Sequence, residues 1–212
     1  MKELIKNIIA NDSIHARWLN TLSLMENTGA RKISASEHPI LVSELVLKHA
    51  AEEARHAYFL KKQISKIPGT ACIDFSLDNL LGGMCSYHYL QNLDIYTSRY
   101  ANEVLKLKGD QLRKACYLLV TFAIEVRADE LYPIYQNQLD ATGHTVNVKS
   151  IIAEEAGHLE EMVKQLESFS AEWQIHADII CAHEQKLFAE WKKAIQKELN
   201  LIVEDERTLI GN

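Results

Sequence analysis

The chain has 212 residues, 47% of them hydrophobic and 25% charged, with a net charge of −6. That length fits one domain with a sizeable core, and the scarcity of Gly (8) and Pro (3) excludes disordered and collagen-like chains. The negative balance disfavours a nucleic-acid backbone as partner, because such a backbone is bound by a basic face.

No apolar run reaches the roughly 18 residues of a membrane helix, and the opening Met1-Lys2-Glu3-Leu4-Ile5-Lys6 lacks a signal-peptide core. Cys72, Cys85, Cys116 and Cys181 are widely spaced without a Cys-x-x-Cys. This excludes a zinc ribbon or rubredoxin-type iron site and fits reduced thiols in a cytoplasmic protein.

Residues 2–10 read as a short amphipathic lead-in, after which Asp12 or Ser13 is placed to cap a first main helix. That helix is expected over about 13–28, or to about 33 if Gly29 is absorbed, with Glu26 interrupting an apolar stripe of Trp18, Leu19, Leu22 and Met25. Ser34–Pro39 carries a capping serine and an early proline, so a second helix is expected over about 38–66. Its stripe reads Val46, Ala50, Glu53, Ala57, Leu60, Ile64, which turns Glu53 and His56 inward and leaves Glu52 and Arg55 to the side, facing solvent, pairing or backing the ligands.

A third helix is expected over about 79–106 and a fourth over about 110–140, with Leu118, Phe122, Glu125 and Tyr132 on one face. Pro133 predicts a kink or break in the fourth. A fifth follows over about 147–169 through Ile151, Glu155, His158, Met162 and Leu166. The last, about 172–202, carries Ile175, Leu187, Trp191 and Ile195, a stripe suited to core or to a dimer face; a loose tail follows from Glu204.

No segment shows the alternation of a strand. The expectation is an all-α single domain over 1–212. The first, second, fourth and fifth main helices would form a metal-bearing bundle over about 13–170. The third would cross between the two pairs, and the C-terminal helix would pack outside.

The chemistry concentrates in Ala51-Glu52-Glu53-Ala54-Arg55-His56 and its recurrence a hundred residues later, Ala153-Glu154-Glu155-Ala156-Gly157-His158. Residues three apart on a helix share a face. Two Glu-x-x-His helices, each helped by a Glu from another helix, hold two metal ions in the core of a four-helix bundle. One such motif is weak evidence, since Glu and His are common helix residues; two, each in an apolar stripe, are a pattern.

Glu125 supplies the fourth helix's carboxylate, with Glu130 as its competitor, and Glu26 the first helix's. Between the expected ends, Glu26 lies about seven residues before the loop and Glu53 about fifteen after it, a height mismatch of roughly 12 Å. His15 therefore stands as the alternative to Glu26. The metal set is Glu26, Glu53, His56, Glu125, Glu155 and His158; these oxygen and imidazole donors suit iron or manganese. His88, His176 and His183 read as surface or satisfied core histidines, and Tyr58, Tyr89, Tyr132 and Tyr135 as packing, as hydrogen-bond donors behind the ligands or as redox-active tyrosines.

Together these motifs resemble the di-iron centre of the ferritin-like superfamily, which includes ferritins, rubrerythrins and bacterial di-iron monooxygenases. Within it, His38-Pro39-Ile40-Leu41-Val42 leading to Glu52-Glu53-Ala54-Arg55-His56, and Ile124-Glu125-Val126-Arg127-Ala128, look most like the bacterial tRNA hydroxylase branch.

The resemblance implies a ferritin-like bundle with two Fe ions (or Mn), O2 as co-substrate, and an oxidoreductase that hydroxylates or oxidises an organic substrate. That substrate would be a small molecule or a modified RNA, the electrons would come from a donor protein, and the chain would pair as a homodimer with no membrane partner. Two other readings stand beside it: an iron-handling ferroxidase or peroxide scavenger, and a metal-free helical interaction protein.

Overall fold

A computed structural model describes the backbone of residues 1–210 and the side chains through Ile202. Its regular structure is helical throughout: α1 Lys2–Ile9, α2 Asp12–Ser36, α3 Glu44–Gln63, α4 Met84–Glu103, α5 Gly109–Thr142, α6 Lys149–Phe169 and α7 Trp173–Ile210, with two short 3-10 turns between α3 and α4. Among the described residues there is no strand, and no helix is long and apolar enough to cross a membrane.

α1 buries Leu4, Ile5, Ile8 and Ile9, one face of an amphipathic two-turn helix. The cap of α2 is Asn11, not Asp12 or Ser13: its side chain accepts the Ile14 N–H at 3.1 Å. α2 then runs straight through Gly29 to Ser36, past the expected end.

The second expected start also moves. Pro39 does not open a helix; the His38 ring accepts the N–H groups of Ile40 and Leu41, holding a loop that delays α3 until Glu44. α4 likewise starts at Met84, because Gly82 and Gly83 both take positive φ. A Cβ on Gly82 would lie 3.1 Å from Ile195 and 3.3 Å from the Trp191 indole, so this turn seats directly on α7.

Pro133 does not break α5, which is continuous to Thr142 and closes on Gly143 in the left-handed conformation. The carbonyl that Pro133 leaves without a partner belongs to Asp129, on the exposed side, where water can satisfy it. α7 is helical through Ile210, where a loose tail is expected from Glu204; positions 211–212 lie outside the described residues.

α2 packs along α3 and α5 along α6; α4 lies between the two pairs in sequence and packs on α5, α2 and α7, and α7 packs on α4 and α5. The larger apolar cluster joins α1, α2, α5 and α7 around Trp18, Trp191, Tyr135 and Leu19, with Trp18 and Trp191 stacked at 5.6 Å. Trp191 is therefore core and not a dimer face. A second cluster fills the space among α4, α5, α6 and α7 with Leu93, Leu118, Met162 and Ile180. All four cysteines are free thiols.

His15 sits in the first cluster, fully buried, its Nε2 2.5 Å from the Tyr135 hydroxyl and its ring edge-on to His144. Burial and the neighbouring His144 pull its pKa down to about 3. The unfolded chain protonates this histidine near pH 6.5, so stability is full above that pH and is lost as pH falls toward 3. Between pH 7 and pH 5 the loss is about 2 kcal/mol. Urea unfolding at the two pH values should show wild type losing that much more than His15→Gln; superimposable pH profiles would refute the assignment.

Candidate metal centre

Each of α2, α3, α5 and α6 carries one inward carboxylate, near mid-length in the first three and two turns in on α6, and α3 and α6 add a histidine one turn on. The structure brings all six expected residues together. Ligand atoms of Glu26, Glu53, His56 and Glu155 lie within 4.8 Å of one another, as do those of Glu53, Glu125, Glu155 and His158. The two groups share Glu53 and Glu155, so the same two carboxylates border both.

The height mismatch that makes Glu26 doubtful disappears once the loop is placed. Glu26 lies ten residues before the end of α2 at Ser36, and Glu53 nine residues after the start of α3 at Glu44. His15 is far down α2, paired with Tyr135, and Glu130 is exposed and bonded to Arg127; neither belongs to either group.

Both histidines are oriented from behind. His56 Nε2 meets Glu154 Oε2 at 2.9 Å, and His158 Nε2 meets Glu52 Oε2 at 2.9 Å, each across the gap between α3 and α6. Arg55 in turn donates to both oxygens of Glu154, at 3.1 and 2.7 Å. A carboxylate on Nε2–H leaves Nδ1 as the donor atom, and both Nδ1 atoms face the cluster. His158 Nδ1 lies 3.3 Å from Glu155 and 3.7 Å from Glu125. His56 Nδ1 lies 3.2 Å from Glu155 but is buried without a hydrogen bond.

Glu154 is a residue that reading by stripes misses, whereas Glu52 is legible there as a side residue, and of its possible roles the pairing one is found. The signal for both is the doubled glutamate in each motif, Glu52-Glu53 and Glu154-Glu155.

Other groups close the site. Tyr132 donates its hydroxyl to Glu26; of the four tyrosines considered, it alone bonds a cluster residue. Tyr58 is exposed, Tyr89 bonds Glu184 and Tyr135 bonds His15. Buried His49 holds the Tyr117 hydroxyl at 2.8 Å and Glu161 at 2.8 Å, with its ring 5.2 Å from that of His158. His176 bonds Tyr100 and His183 stacks on Tyr96, both away from the cluster.

The charges fit a metal centre. Burial, with neighbouring carboxylates, pushes Glu53 and Glu125 well above the usual carboxylate range, and burial pushes Glu26 upward too. Burial opposes the charge on Glu155, but hydrogen bonds from Glu125 and His158 and the nearby charge of His56 hold it well below that range. Burial likewise opposes protonation of His158, yet Glu125 and Glu155 push it up to about 11. Without metal, protons stand where cations would. An orphaned imidazole nitrogen, four converging carboxylates and a thiolate-free donor set fit two hard divalent ions.

A cavity of about 540 Å³ lies between α2, α4 and α5, with Glu26, Glu53 and Glu125 in its lining and Leu22, Leu90, Leu112, Val120 and Ile124 among its walls. Behind it, Arg127 grips Glu184 of α7 with two hydrogen bonds, at 2.9 and 2.6 Å, while Tyr89 of α4 donates to the same carboxylate.

The chain matches no protein-family model, no curated protein and no solved structure.

Proposed function

We propose that the protein is a di-metal carboxylate oxidoreductase of ferritin-like architecture, binding two iron ions and using O2 to oxidise an organic substrate. The observation that carries this reading is the pair of ligand groups sharing Glu53 and Glu155, built from four helices and two Glu-x-x-His motifs. Glu26 and His56 would complete one metal position, Glu125 and His158 the other.

When bound, the metal pair supplies O2 binding and electron transfer. The chain's own residues do the rest. Glu154 and Glu52 fix the two imidazoles, Tyr132 holds Glu26 in place, and the apolar cavity walls position substrate and keep water away.

A cavity of this size opening onto the cluster favours oxidation of an organic molecule over iron handling alone, which needs no such space. A metal-free scaffold is disfavoured by Glu26, Glu53 and Glu125, whose charges burial opposes and which cost stability without cations.

Elemental analysis of protein expressed with iron tests the reading. About two metal ions per chain are expected, with occupancy falling on acidification as protons return to Glu26, Glu53, Glu125 and the two histidines. Metal-free protein that also fails to take up Fe(II) or Mn(II) at neutral pH would overturn it.

A further inference from the structure

The cavity leads from the cluster toward a mouth with a different character. Along α5, Glu125 marks the inner end, and Arg113 lies a little over three turns earlier, roughly 18 Å away at 1.5 Å per residue. Between them Val120 and Ile124 of α5, Leu22 and Met25 of α2 and Leu90 of α4 line the space. At the outer part, Lys32 of α2 and Asp94 of α4 form an ion pair at 2.7 Å. Arg113 has only a loose contact, 3.9 Å from the exposed Asp110, and is the cation there with charge to spare.

The two ends therefore select opposite chemistry. The inner end offers an anion only carboxyl groups and an Arg127 already held by Glu184, the walls between are mainly apolar and broken by Tyr117 and Thr121, and the outer end carries an under-neutralised guanidinium suited to a carboxylate. The 18 Å span slightly exceeds one leaflet of a bilayer's hydrocarbon core, about 15 Å, the depth that one acyl chain fills.

We propose that the cavity binds a long-chain monocarboxylate, with its alkyl chain along α2, α4 and α5 toward the cluster and its carboxylate at Arg113. As the identity of the oxidised substrate this rests on the di-metal reading; as a binding site it stands on the cavity alone. Charge at the mouth and apolar walls inside fix the orientation, so a carbon of the chain, never the head group, reaches Glu26 and Glu125.

The test is calorimetric titration of decanoate, soluble as a monomer, and of uncharged 1-decanol into wild type, Arg113→Gln and Val120→Phe, with iron content measured on each preparation. Decanoate should bind wild type at one per chain. Arg113→Gln should weaken decanoate at least tenfold and leave 1-decanol within twofold. Val120→Phe, which fills the mid-cavity, should abolish both; if its melting shows misfolding, Ser98→Trp at the outer wall serves instead.

No decanoate binding to wild type, equal binding to the plugged variant, or an Arg113→Gln effect identical for acid and alcohol would each overturn the proposal. Two irons per chain without decanoate binding would sink this inference and spare the metal reading. Decanoate binding to protein that cannot take up metal would do the reverse.

Discussion

Glu155→Gln should empty both metal positions at once, whereas Glu26→Gln and Glu125→Gln should each weaken one. Glu155 belongs to both ligand groups, while Glu26 sits only in the group with His56 and Glu125 only in the group with His158. Elemental analysis should find well under half an ion per chain in Glu155→Gln and about one in each of the others, on the logic of ligand loss from a shared centre.

The metal-free proteins should then diverge in a way that plain destabilisation does not predict. Glu155 is held ionised by hydrogen bonds from Glu125 and His158 and by the nearby charge of His56, with a folded pKa below its unfolded value. Such a group contributes stability above the unfolded pKa, near 4.3, so Glu155→Gln should cost about 2 kcal/mol at pH 7 by leaving two buried imidazoles short of a partner. Glu53 is shifted the other way, by burial and by Glu26, and weakens the fold above that same pH. Glu53→Gln should therefore raise metal-free stability, on the order of 1 kcal/mol, while losing metal just as completely. Chemical unfolding of chelated protein checks both signs. Two equal losses of stability would show that these carboxylates are ordinary core contacts.

The candidate cluster was legible because side chains that converge from helices obey a local rule. Glu53 with His56, and Glu155 with His158, are three residues apart inside apolar stripes, and that needs no knowledge of the partner helix. The choice between Glu26 and His15 depended instead on where a loop begins and ends. Pro39 is a good first residue for a helix, yet His38 caps the chain into a turn there, and α3 starts at Glu44. An error of six residues at one helix start is enough to misplace a ligand by several ångströms. The exchange of Glu154 and Glu52 across α3 and α6 and the cavity among α2, α4 and α5 are tertiary, since each depends on how helices distant in sequence are set against one another.

The same limit hides the buried ion pair behind the cavity, and its removal carries the largest expected cost to folding. Glu184 is 2% exposed, receives two hydrogen bonds from Arg127 and one from Tyr89, and so ties α4, α5 and α7 together. Arg127 also lies over the Phe188 ring at 4.0 Å, leaving its charge little access to water except toward Glu130. Deleting the carboxylate strands a guanidinium in an apolar wall, so Glu184→Leu should destabilise by about 3–5 kcal/mol. Replacing both, as Arg127→Met with Glu184→Leu, removes the stranded charge together with its partner and should recover most of that loss.

The pair is then a device for position more than for stability. Arg127 is two residues from Glu125 on α5 and lines the cavity, so the double variant should fold near wild-type stability yet hold metal and cavity ligands less tightly. Urea unfolding of the four proteins in a double-mutant cycle, with metal content beside it, decides the matter. A double variant as unstable as Glu184→Leu alone would mean that packing by the Arg127 stem, and not its charge, holds α7 against the site.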